Sequence, residues 1–200
     1  MFKDRINGAA RRVPAWLIYV LGIVPASWFL YEGITGASGP EPIKALEHAL
    51  GEFALKLLIV GLAITPLRKH LGLNLLKFRR AIGVMTFIYV LLHLLVWLVL
   101  DVQIVSQIWA DIIKRPYITV GMVGFALMIP LAVTSNNFSV RKLGVRWRKL
   151  HKLTYGIAIL GALHFIMLSK GLQLEPLMYM AVVLGLLILR IPRKTLQFAQ

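Results

Sequence analysis

The sequence predicts an all-α membrane protein, a six-helix transmembrane bundle with both termini cytoplasmic, and three observations point to it. Hydrophobic residues make up 58% of the 200-residue chain and charged residues 16%, against about 45–50% and about 25% in a soluble domain. A soluble monomer of this length cannot bury so much apolar surface. Lys and Arg number 23 against 8 Asp and Glu, a formal net charge of +15, and beside the apolar excess that charge suits a lipid bilayer surface, with no nucleic acid partner expected. Cysteine is absent, which excludes disulfide frameworks, Cys-ligated zinc, iron–sulfur clusters and thiol catalysis. Redox chemistry therefore has to reside in a bound cofactor.

Crossing a hydrocarbon core of about 30 Å takes about 20 mainly apolar helical residues, and six such runs lie between charges, Pro or Gly. The first, Val13 to Tyr31, follows Arg11 and Arg12. It is expected to remain as a span, because its apolar stretch exceeds the 7–15 residues of a signal-peptide core and no small-x-small cleavage site follows. The second, Leu46 to Leu67, starts after Lys44 and stops at Arg68; the third, Ile82 to Leu100, runs from Arg79-Arg80 to Asp101. Arg115 precedes the fourth, Pro116 to Thr134. The fifth, Leu153 to Ser169, lies between Lys152 and Lys170, and the sixth, Pro176 to Ile191, ends before Arg193 and Lys194. No internal repeat, low-complexity tract or soluble extension stands out, so residues 1–200 are expected to form a single integral membrane domain.

Lys and Arg in short loops resist translocation. One set of span ends holds eighteen of the 23 basic residues, and the opposite set holds Lys44, Lys56, Lys114, Arg115 and Lys170 with seven of the eight acids. This division predicts six spans with both termini cytoplasmic. Between Asp101 and Arg115, the apolar residues Val105, Ile108, Trp109 and Ile112 recur at helical spacing and predict a helix on the outer leaflet, or a partner-docking surface in the competing reading.

Histidine is the remaining cofactor ligand, and the five differ in setting. His70 reads as a solvated residue of a basic inner loop. His48 stands near the outer start of the second span, beside Glu52 and Lys56, an i,i+4 pair whose order lowers the cost of charge in a membrane helix. His93 and His164 each interrupt an apolar run, "YVLLHLLVW" and "ILGALHFIM", where ionisable groups are costly and usually functional. Counted from Arg80 and Lys152, they lie about 20 Å and about 18 Å into their helices. The third and fifth spans run parallel, so two imidazoles at equal height can face one another as axial ligands of one haem in the outer half of the bundle. His151 stands 13 residues before His164 in a basic cluster and reads by itself as an interface histidine. In an ideal helix this spacing turns its side chain about 140° from that of His164, unless a bend near Gly156 or Gly161 intervenes.

Several motifs together resemble the MsrQ (YedZ) family: "ITPLR" at Ile64 to Arg68, Arg79-Arg80 before Gly83, "RPYITVG" at Arg115 to Gly121, Thr134-Ser135, and "RKLGVRWRKLH" at Arg141 to His151. The likeness covers essentially the whole chain. More broadly, six spans with histidines in the third and fifth resemble the ferric reductase-like transmembrane domain shared with the NADPH oxidases. The resemblance implies a haem-binding subunit of the bacterial periplasmic methionine sulfoxide reductase system, placed in the bacterial inner membrane, with b-type haem and with His93, His151 and His164 as its histidines. It also implies a periplasmic molybdopterin-containing catalytic subunit as heterodimer partner, an association with FMN, and electrons from the quinone pool or a cytosolic flavin reductase.

The third span departs from the wider oxidase pattern, since the positions 13 residues either side of His93 are Arg80 and Ser106. Two readings of the inner site follow. His151 holds a second haem with another partner, or an FMN phosphate is held by Arg79, Arg80, Arg141 or Arg146, guanidinium groups that suit anionic lipid headgroups equally well. The leading expectation is an electron conduit whose substrate chemistry takes place on the partner subunit. No Gly-rich dinucleotide fingerprint is present. The competing expectations are a stand-alone ferric or oxygen reductase and a cofactor-free transporter or assembly factor.

Overall fold

The computed structural model describes residues 2–169, 171 and 173–190, and every regular element among them is helical. A short basic helix α1 (Phe2–Arg12) precedes α2 (Leu17–Thr35). Pro14 separates the two, so the first apolar helix starts four residues later than the Val13 expected from hydropathy, and it stops where Gly36 turns the backbone to φ +74°. Next come α3 (Pro42–Pro66) and α4 (Arg79–Val96), each continued at its C-terminal end by a π-helical turn, Leu67–Leu71 and Trp97–Val102. The connection Asp101 to Arg115 contains α5 (Val105–Lys114), which exposes Val105, Trp109 and Ile113 along one stripe.

Then follow α6 (Pro116–Val133), the short basic helices α7 (Asn137–Leu143) and α8 (Val145–Leu150), α9 (Leu153–Leu168) and α10 (Leu174–Ile188). Among the described residues, five helical stretches are long and apolar enough to cross a membrane, and α10 is a shorter apolar helix of 15 residues, about 22 Å. The chain is a multi-pass membrane protein. Lys170, Arg193, Lys194 and the end of the expected sixth span at Ile191 lie outside the described residues.

Two helix pairs organise the bundle, α3 against α4 and α6 against α9, with α2 flanking the first and α10 bridging the second to α3. The core between α3 and α4 holds Leu46, Leu50, Ala54, Met85, Tyr89 and Val96. Tyr89 is fully buried and donates its hydroxyl hydrogen to the Gly22 carbonyl of α2 at 2.6 Å. A second core joins Leu62 of α3 to Ala158 and Ala162 of α9 and Val183 of α10, small residues letting the helices approach closely.

The basic segments gather at one end of the bundle. The Asn7 amide donates to the Gly72 carbonyl while its oxygen accepts from the Asn74 N–H, and Lys77 donates to the Arg11 carbonyl. Arg80 donates to Asn137, and Arg190 to the Leu62 carbonyl and the Tyr155 hydroxyl.

Candidate functional site

His93 lies in the last turn of α4 and His164 in the last turn but one of the parallel helix α9, so equal height follows from the helix ends. Their ring centroids are 6.2 Å apart and the ring planes 83° apart. Each Nδ1 meets a backbone carbonyl, His93 that of Glu47 at 2.8 Å and His164 that of Tyr117 at 2.7 Å. A carbonyl oxygen only accepts, so each Nδ1 carries the proton and each Nε2 keeps its lone pair. Both rings line a cavity of about 550 Å³ whose walls include Leu55, Leu58, Val90, Leu94, Phe125, Leu160 and Phe165.

The donor set fits a metal held between the rings. Metal–imidazole bonds of about 2.0 Å, with about 1.1 Å from ring centre to nitrogen, place two ligating rings about 6.2 Å apart. The observed separation agrees. Apolar walls of this volume suit the macrocycle of a haem.

Polar residues also line the cavity, among them Lys44, Glu47, His48, Asp101 and Arg115. Arg115 pairs with Asp111 at 3.2 Å and donates to the Tyr117 hydroxyl. Glu52 pairs with Lys56 at 2.6 Å and accepts from the Tyr179 hydroxyl. His48 and His70 are both exposed.

A second cavity of about 540 Å³ opens toward the basic end and shares Leu58, Thr86, Met128 and Ile157 with the first. His151 lines it with Lys77, Arg79, Arg80, Arg148 and Lys152. The expectation of a solvated interface residue needs correction here, because His151 is half-buried and stacks on Trp147 with centroids 3.9 Å apart. Its Nε2 lies 3.2 Å from the Thr134 hydroxyl, which donates to the Pro130 carbonyl at 2.6 Å, and Trp147 donates to the Thr134 carbonyl. Thr134 thus accepts from the imidazole. The helical-wheel argument relating His151 to His164 also needs correction: α8 ends at Leu150 and α9 begins at Leu153, so the two histidines do not share one helix. The break lies ahead of both Gly156 and Gly161.

Residues 48–162 match the family model described as "Ferric reductase like transmembrane component". The protein-methionine-sulfoxide reductase heme-binding subunits MsrQ of Brucella ovis, Brucella melitensis biotype 2 and Brucella suis biovar 1 are each 50% identical to this chain over 184 residues, covering 91% of it and 83% of the relative. The chain belongs to the MsrQ family. No solved structure matches it.

In this MsrQ-family chain the structure brings together His93 and His164 at one cavity and His151, Arg79 and Arg80 at the other. Arg141 and Arg146 are exposed and are not among the residues lining this second cavity. Sequence reasoning missed Lys77, Arg148 and Lys152 as lining residues, and the Thr134 and Trp147 contacts of His151. Trp147 carried a signal, standing one helical turn before His151 in "RWRKLH".

Proposed function

We propose that this chain is a b-type cytochrome of the bacterial inner membrane that passes electrons to a periplasmic, molybdopterin-containing methionine sulfoxide reductase catalytic subunit, its heterodimer partner, for repair of oxidised proteins. The observation that carries the reading is the His93–His164 pair, with each proton-bearing Nδ1 on a backbone carbonyl and a ring separation suited to one metal. The names of the Brucella relatives, heme-binding subunits of such a reductase, support it. His93 and His164 would hold haem b between apolar walls that keep water away, and the haem would supply one-electron transfer.

In this reading the basic end of the bundle faces the cytoplasm, as the distribution of Lys and Arg favours, and both termini lie there. The inner cavity is the electron-entry site, supplied by the quinone pool or a cytosolic flavin reductase. One imidazole among five cationic side chains suits the phosphate of FMN better than a second bis-histidine haem. His151, Arg79 and Arg80 are the residues assigned to it. Arg141 and Arg146, exposed beyond the lining, suit anionic lipid headgroups.

The test is purification from membranes with haem and flavin extraction, followed by reduction from each donor and reoxidation by the catalytic subunit supplied with methionine sulfoxide. Haem b that is reduced by a donor and reoxidised only with the catalytic subunit present is the expected result. Purified protein without haem favours a transporter or assembly factor. Haem reoxidised by ferric ions or oxygen, but not by the subunit, favours a stand-alone reductase.

A further inference from the structure

We infer that two matching backbone seats, each a carbonyl with a glycine four residues later, set the orientation of the paired histidines: Glu47 and Gly51 on α3 for His93, Tyr117 and Gly121 on α6 for His164. The inference rests on the haem reading above for its functional meaning, while the seats themselves rest on geometry. A Cβ added to Gly51 would lie 3.1 Å from Nδ1 and 3.2 Å from Cε1 of His93. One added to Gly121 would lie 3.0 Å from the same two atoms of His164. In each case the ring edge rests against a helix backbone, in space that any other residue would fill. Elsewhere on these two helices the glycines are under no such constraint, since a Cβ on Gly61 or Gly124 would meet side chains at 3.5 Å and 3.8 Å.

The spacing explains why carbonyl and glycine go together. Residues four apart in a helix share a face, so the ring that reaches the carbonyl of Glu47 must pass over Gly51, and the ring that reaches Tyr117 must pass over Gly121. Each carbonyl accepts the glycine N–H within its own helix and offers its remaining lone pair to the imidazole Nδ1–H. Each seat therefore fixes both the tautomer and the ring direction, leaving Nε2 unprotonated and available to a ligand. Alanine at either glycine pushes the ring outward by a few tenths of an ångström and weakens the hydrogen bond that orients it. Gly51 and Gly121 are positioning residues, acting through the histidines.

The experiment compares Gly51→Ala and Gly121→Ala with the controls Gly61→Ala and Gly124→Ala in the full chain purified from membranes. The readouts are haem per polypeptide on dilution and the low-spin ferric electron paramagnetic resonance signal, which reports the mutual orientation of two axial rings. Each seat variant is expected to lose about 10-fold or more in haem affinity, the range for removing an outer-shell partner of a ligating His, and to shift the resonance, while the controls match the wild type. A second measurement covers poor folding: melting temperature and membrane accumulation of Gly51→Ala in the His93→Ala and His164→Ala backgrounds. The alanine should have no effect where the His93 ring is gone and its full effect where only the His164 ring is gone. Wild-type haem retention and resonance in both seat variants, or an equal effect of Gly51→Ala in the two backgrounds, would overturn the inference. If the wild type bound no haem, the haem reading would fail while the melting comparison still tested the seats.

Discussion

Replacing Lys56 by Met isolates a charge inside the membrane, and the structure sets the size of the effect. Glu52 and Lys56 lie about 15 Å and about 21 Å along α3 from Pro42, near the middle of a core of about 30 Å. They pair at 2.6 Å, with the Tyr179 hydroxyl 3.0 Å from the same glutamate oxygen. The lysine side chain is 51% and the glutamate 32% exposed on the bundle surface. Together they are neutral, and a single uncompensated charge at the centre of a membrane helix costs about 2.5–3.5 kcal/mol. With the tyrosine hydrogen bond retained, Lys56→Met should therefore destabilise the protein by about 2 kcal/mol, and Glu52→Gln/Lys56→Met should recover most of that loss, because replacing both partners of an ion pair is far milder than removing one. Reversible unfolding in lipid bicelles, with membrane accumulation measured in parallel, reads both quantities. A double variant less stable than Lys56→Met, or a single variant as stable as the wild type, would refute the reasoning.

Further outcomes follow from particular contacts. Tyr89→Phe leaves the Gly22 carbonyl without its buried donor and should cost about 1 kcal/mol, read as a melting temperature lower by about 2–4 °C. His151→Ala should slow reduction of the outer haem by the cytoplasmic donor in stopped-flow measurements on membranes while leaving that haem's absorption spectrum in place; unchanged kinetics would return His151 to a structural role. Arg79→Gln or Arg148→Gln, within the inner cavity, should lower flavin retention on gel filtration, whereas Arg141→Gln and Arg146→Gln should leave it unchanged.

The parts of this molecule legible in one sequence are those governed by hydropathy and helix rise. His93 and His164 could be matched in depth because each interrupts an apolar run whose start is marked by basic residues, and helix rise converts that offset into height. The amphipathic α5 showed in the spacing of Val105 and Trp109. Contacts set by pairing between distant segments left no periodic trace: the reciprocal bonds of Asn7 with Gly72 and Asn74, and the Thr134 hydroxyl that holds His151. The turn at His151 and Lys152 was hidden because the basic run "RWRKLHK" continues the helical pattern through it. Arg141 and Arg146 were indistinguishable from Arg79 and Arg80 by composition, and only the folding of α7 and α8 separates the cations that line the cavity from those that do not. The importance of Gly51 and Gly121 was equally hidden, since glycines are frequent in membrane helices and these two differ from the rest only in facing a ring.

The central claim is that His93 and His164 hold one haem between them, and the most direct test is the dithionite-reduced minus oxidised spectrum of membranes carrying His93→Ala or His164→Ala. Each substitution should remove the same low-spin b-type component, in equal amount, and combining them should remove nothing more. Loss of one component in His93→Ala and of a different one in His164→Ala, or retention of the full spectrum in either, would contradict it.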